Sequence, residues 1–181
     1  MNYIIDKIDD HEYYHDLFIN NLKYVSENEF IEPWPFQNVK TINLGEKKNS
    51  IIKYALNEFI EFSNFKNALD KFFNKNTTIK NYKGWVNRYG KDEFQVAHNH
   101  NQGYGYDLNS EKNLKCVFVY FLDIPENSNC FNFCDKDGNN KKYINEKSGD
   151  LLIFDKFSYH SVDKNNSDQF RYTLAGNVEI E

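Results

Sequence analysis

Near Thr77 the hydrophobic period of this chain changes, and that change limits what it can fold into. Before it, apolar residues recur at spacings of three and four, as on a helix face. After it, segments are short, aromatic and β-branched, and Gly, Asn and Asp bound them. Candidate strands cover 84–89, 94–100, 115–122, 130–134, 151–154, 158–162 and 170–178. Asp137-Gly138 is a turn signal inside a plausible hairpin. Many short strands after a helical layer predict a mainly β fold, a sandwich or barrel buttressed by N-terminal helices.

The first half reads as mainly helical. Residues 10–24 carry Tyr13, Tyr14, Leu17, Phe18 and Leu22 at helical spacing. In 50–75, Ile51, Ile52, Ala55, Leu56, Phe59 and Ile60 form one apolar stripe. Ser50 can cap its start, and a break near Ser63-Asn64 separates it from a second helix. Pro33 and Pro35 flank Trp34 and force extended backbone at 32–36. At 181 residues the length suits one domain, with 1–80 as a helical buttress and 81–181 as the β core. No stretch rich in Pro, Gly or Ser divides it.

The net charge of −5, with no basic block, argues against nucleic acid as a partner. No segment approaches the roughly 18 apolar residues of a membrane span, and the N-terminus lacks the features of a signal peptide. Three cysteines without a CxxC pair read as small buried thiols in a reducing compartment, so a cytoplasmic location is expected.

Three of the five histidines form a pattern: His98-Asn99-His100, then His160. On a strand, residues i and i+2 share a face, with Cα atoms ~6.5 Å apart at about 3.3 Å rise per residue. Two imidazoles so placed can converge on one ion, and His160 from another strand would complete a three-ligand face. Such a face leaves positions open for substrate or O₂, as at non-haem Fe(II) sites, although the pattern also suits zinc. His11 and His15, four apart on a helix, have no third partner in sequence and read as a solvated face. The chain has two arginines, Arg88 and Arg171, among 22 basic residues. Where lysine is the default cation, an arginine near a metal pattern points to a planar fork that grips a carboxylate.

Four blocks resemble the iron- and 2-oxoglutarate-dependent oxygenases, most closely the prolyl-4-hydroxylase-like branch and similar oxygenases of bacteria and phages. They are Val86-Asn-Arg-Tyr-Gly90 with His98-x-His100, Val119-Tyr-Phe-Leu-Asp-Ile-Pro125, Gly149-Asp-Leu-Leu-Ile-Phe154 with His160-Ser-Val162, and Phe170-Arg-Tyr-Thr-Leu-Ala-Gly-Asn177. The resemblance implies a double-stranded β-helix, a jelly roll with the metal at its mouth. It implies Fe(II) held by His98 and His160, and 2-oxoglutarate held by Arg171 with help from Tyr89 and Thr173. It implies oxidation of a C–H bond in a peptide or small molecule, using O₂ and releasing succinate and CO₂. Arg171 is expected on the strand next to the one bearing His160.

The family's second ligand is usually Asp or Glu, and His100 stands there instead. Either His100 binds the metal, making a three-histidine site, or it stands behind the metal and water replaces it. Two other readings remain. A cupin-type metal protein would share the barrel and use HxH with a later Glu, for which Glu111 is the candidate, and would need no 2-oxoglutarate. An inactive barrel would serve as a binding module. Residues 101–113 read as a long polar loop, and Trp34, Trp85, Tyr104 and Tyr106 read as core or loop packing rather than as a cleft lining.

Overall fold

The computed structural model describes residues 2–30, 39–43, 50–101, 116–128 and 130–181. The strands are β1 (Tyr3–Lys7), β2 (Lys40–Asn43), β3 (Ile79–Tyr89), β4 (Gln95–His98), β5 (Cys116–Asp123), β6 (Phe131–Phe133), β7 (Lys142–Tyr143), β8 (Asp150–Asp155), β9 (His160–Val162) and β10 (Arg171–Ile180). The helices are α1 (His11–Leu22), α2 (Ser50–Phe62) and α3 (Phe65–Phe73), with a single 3₁₀ turn at Glu27–Glu29. The strands form two antiparallel sheets, a major one ordered β1-β8-β5-β10-β3-β2 and a minor one ordered β4-β9-β6-β7.

The expected helices are present, including the break at Ser63-Asn64. Ser63 causes it in part, because its hydroxyl donates to the Phe59 carbonyl at 2.5 Å and accepts from the Phe65 amide at 3.1 Å. A side chain that bonds backbone on both sides offers the chain an alternative to the helical ladder. α3 ends at Asn74, whose φ of 51° lies in the left-handed region that Asn tolerates.

The first eighty residues are not helical only. β1 pairs with β8 and β2 pairs with β3, so both edges of the major sheet come from the N-terminal part. Likewise β7, at the edge of the minor sheet, is an extra strand beyond the expected set. The turn at Asp137-Gly138 lies in the β6–β7 hairpin, with Gly138 at φ 78°. The 32–36 segment with Trp34, and 102–113 with Tyr104, Tyr106 and Glu111, lie outside the described residues.

The central strands alternate between two interiors, as the period of two demands. On β5, Phe118, Tyr120 and Leu122 face the helices, whereas Val117, Val119 and Phe121 face the minor sheet. Helix residues Phe18, Ala55, Leu56, Phe59, Phe65 and Leu69 fill the first interior. Phe59 is its hub, with its ring 4.7 Å from Tyr120 and 5.4 Å from Tyr14, centroid to centroid. Gly84 and Gly176 on β3 and β10 keep this layer close. A Cβ at Gly176 would come 2.3 Å from the Lys83 carbonyl oxygen and 2.4 Å from the Phe118 ring. Among the described residues, no helix is long and apolar enough to cross a membrane.

Candidate metal centre

The second interior, between the sheets, turns polar at one end. His98 closes β4 and His160 opens β9, and the two are direct cross-strand partners. A register shift between Gln95 and His98 brings this pair together at the sheet edge. His100 lies just past the end of β4, so strand alternation alone does not place it. Its amide donates to the Lys156 carbonyl at 3.0 Å, and its ring stacks on Trp85 at 5.7 Å with planes 15° apart. The ligand atoms of the three histidines lie within 4.8 Å of one another, the one such group among the described residues. Neighbouring ligands on one ion at about 2.1 Å are about 3.0–3.4 Å apart, so the rings would draw together on binding.

The hydrogen bonds fix which nitrogen each ring offers. His98 Nδ1 donates to the Val96 carbonyl at 2.8 Å, and His160 Nδ1 donates to the Ser158 carbonyl at 3.1 Å. His100 Nδ1 donates to Asn177 Oδ1 at 2.9 Å. An oxygen can only accept, so each Nδ1 carries the proton and each Nε2 keeps its lone pair. Outer partners of this kind are the usual means of orienting metal-binding histidines. Burial drives His100 down to about 3, with His98 beside it adding to the effect. Burial and the two neighbouring rings push His160 well below its ordinary value, and burial also lowers His98. The rings are neutral at pH 7, the form that binds a metal. The donor set of three neutral imidazoles therefore suits a divalent transition metal.

Arg171 begins β10, which pairs with β3 and β5 in the major sheet. It therefore faces His160 from the opposite sheet, and the expected position on a neighbouring strand is corrected. The strand order explains this, because β9 neighbours only β4 and β6. Register sets Arg171 beside Tyr89 and Thr173 beside Asn87. All four line one cavity with His98, His100 and His160. Burial raises the Tyr89 phenol above its ordinary range, so it keeps its proton, and it donates to Gln95 Oε1 at 3.1 Å. Thr41 donates to Asn87 at 2.8 Å, and Asn87 donates to Thr173 at 3.4 Å.

Arg171 is fully buried, 0% exposed. Its Nη1 donates to the Ser128 carbonyl at 2.7 Å and contacts the Cys130 thiol. Its Nη2 lies 2.9 Å from Glu146 Oε1. Neither Nε nor Nη2 makes a hydrogen bond with the described residues. These two nitrogens form one parallel edge of the guanidinium, the edge that grips a carboxylate side-on. A buried arginine whose Nε meets no acceptor among the described residues, and whose Nη2 meets only Glu146 there, fits a further carboxylate such as the distal end of 2-oxoglutarate.

No family model matches this chain, and no curated protein matches it in sequence. Solved structures do match in shape. A prolyl-4-hydroxylase from Pseudomonas putida aligns over 98% of this chain and 92% of its own, with a TM-score of 0.67 at 12% identity. The epimerase SnoN of nogalamycin biosynthesis, in a structure with Fe³⁺, α-ketoglutarate and nogalamycin RO, aligns over 98% of this chain and 78% of its own. Its TM-score is 0.72 at 11% identity. A prolyl hydroxylase from Trichoplax adhaerens, in complex with a hypoxia-inducible-factor peptide, covers 98% and 83%, with a TM-score of 0.64 at 15% identity. The chain has the fold of the 2-oxoglutarate- and iron(II)-dependent oxygenases.

Within that oxygenase fold the six residues singled out from sequence, His98, His100, His160, Arg171, Tyr89 and Thr173, line a single cavity. Four further residues at or beside the site escaped that reading. Trp85 is a wall of the site rather than only packing. Asn177 holds His100, and the two-residue period from Arg171 through Thr173 and Ala175 could have pointed to it. Cys130, read as a plain apolar thiol, contacts Arg171. Glu146, the acid beside Arg171, carries no periodic signal in the sequence. His11 is not simply a solvated face, since its Nδ1 lies 2.6 Å from the Tyr120 hydroxyl under the helices.

Proposed function

We propose that this chain is an iron(II)- and 2-oxoglutarate-dependent oxygenase that hydroxylates a C–H bond of a peptide or small molecule. The observation that carries this reading is the cluster of three histidines, with ligand nitrogens within 4.8 Å of one another, in one cavity with a buried arginine whose Nε meets no acceptor among the described residues. The two sheets are read as a double-stranded β-helix, with the whole chain as one unit acting in the cytoplasm.

His98, His100 and His160 would hold the metal through Nε2. Bound there, iron(II) supplies the redox chemistry that couples loss of CO₂ from 2-oxoglutarate, giving succinate, to oxidation of the substrate by O₂. Arg171 binds the far carboxylate of 2-oxoglutarate through its Nε–Nη2 edge, and the Tyr89 and Thr173 hydroxyls add hydrogen bonds. Trp85, Val117, Val119 and Phe131 make the apolar part of the same cavity. They exclude water and strengthen each of these polar contacts.

The test is anaerobic titration with Fe(II), with and without 2-oxoglutarate. One equivalent of metal should bind, and a visible metal-to-ligand charge-transfer band should develop only when both are present. Iron binding without that band, and without calorimetric binding of 2-oxoglutarate, would overturn the proposal. It would favour the second reading, a cupin-type metal protein with a three-histidine site. The Glu146–Arg171 pair is the observation behind that second reading, because it gives Arg171 a partner that needs no cosubstrate.

A further inference from the structure

Glu146 follows β7 and is 1% exposed at its side chain. Asn145 before it has φ 54°, a left-handed turn that Asn tolerates. One oxygen, Oε1, accepts from the amides of Cys130 and Phe131, each at 2.9 Å, and faces Arg171 Nη2. Arg171 lines the metal cavity and Glu146 does not. The carboxylate therefore reaches the guanidinium without lining the cavity itself. The pair is too buried for solvent to compensate either charge.

We infer that Glu146 is the resident counter-ion of the cosubstrate clamp. It is a positioning residue that keeps Arg171 ordered and charge-balanced before 2-oxoglutarate arrives, and leaves the Nε–H and one N–H of Nη2 for the ligand. This inference rests on the oxygenase reading above. An arginine buried without an anion costs several kcal/mol, so the unliganded fold needs one. The chain supplies it at one corner of the fork, where two backbone amides also steady it. The incoming dicarboxylate then meets a cation already half-neutralised. Binding is weaker than bare Arg171 would give, and in exchange the empty site stays folded.

This predicts an inverse relation that a purely structural glutamate would not produce. Glu146→Gln keeps an oxygen for the Cys130 and Phe131 amides and removes the charge. The Mn(II)-loaded variant should unfold at lower temperature than wild type without 2-oxoglutarate. It should also bind 2-oxoglutarate about ten-fold more tightly by calorimetry, and gain more in Tm on adding it, because the ligand now supplies the missing anion. Glu146→Asp should return both properties towards wild type. Equal or weaker 2-oxoglutarate affinity in Glu146→Gln would overturn the inference. If Glu146→Gln does not fold, the double variant Arg171→Met/Glu146→Gln decides the matter, since it removes the unbalanced cation. Recovery of a folded protein supports the counter-ion role, and failure to fold overturns it. Wild-type protein that binds no 2-oxoglutarate at all would instead sink the oxygenase reading.

Discussion

The two faces of β5 and β10 are built from the same strands by opposite rules. Towards the helices, Phe118, Tyr120, Leu122, Leu174 and Val178 meet Phe59, Phe65 and Leu56, and rings pack on rings. Towards the minor sheet, Arg171, Thr173 and Asn177 alternate with those residues, the first two lining the cavity and the third holding His100. The first face gains its stability from dry area and close contact. The second buries a cation, an acid and three imidazoles, which weakens a core unless each is partnered. The helical layer on one face thus offsets what the other gives up to hold a ligand. Function and stability are separated by one residue of register.

That separation can be tested from each side. The largest effect belongs to Phe59→Ala. Removing the hub ring should cost about 3–5 kcal/mol of unfolding free energy in urea. Metal affinity of the folded fraction should stay at the wild-type value. A matching loss of metal affinity would show that the two faces are coupled.

Gly176→Ala comes next. The new methyl must displace Phe118 or the β3 backbone, costing about 1–3 kcal/mol of stability. Chemical denaturation measures it, and an unchanged midpoint would mean that the strands separate easily at this point.

Asn177→Leu works on the other face. It removes the acceptor that fixes the His100 tautomer. Fe(II) or Co(II) affinity should fall about 10- to 100-fold, with little change in the urea midpoint of the metal-free protein. Unchanged metal affinity would place His100 behind the metal rather than on it.

The smallest effect lies on α3. Asp70 accepts from Lys66 Nζ and from the Thr77 amide and hydroxyl, and these bonds, Lys66 first, hold its carboxyl below the usual value. A depressed carboxylate stabilises the fold above its unfolded pKa and loses that contribution as pH falls through the folded one. Asp70→Asn should therefore cost at most about 1 kcal/mol at pH 7. The difference from wild type should vanish as the pH drops below about 4. A pH-independent difference would mean that shape, not charge, matters there.

The helices and most strands could be read in the sequence because their signals are local. The stripe from Ile52 to Ile60, the break at Ser63 and the Asp137-Gly138 turn each depend on residues within one or two turns. The metal set could be read because HxH keeps two ligands close along the chain, although His100 is finally placed by Lys156, Trp85 and Asn177. What stayed hidden depends on long-range pairing. β1 is five residues long and finds its partner, β8, near the far end of the chain. A short apolar run does not announce such a partner. The sheet that holds Arg171 is decided by strand order, which spacing does not encode. Glu146 is the clearest case, because a single buried acid outside any periodic segment means something only once Arg171, Cys130 and Phe131 surround it.

His98 and His160 take their orienting hydrogen bonds from carbonyls two residues away, within the minor sheet's own segments. His100 takes its bond from Asn177, on a strand of the opposite sheet. An ion shared by all three is therefore a latch across the sandwich, fastened to one sheet directly and to the other through an amide. Closing it adds to the backbone bond between His100 and Lys156 a second tie between segments of the two sheets. Metal loading would then be felt as stiffness, with slower amide exchange along β4 and β9 and little change along β5.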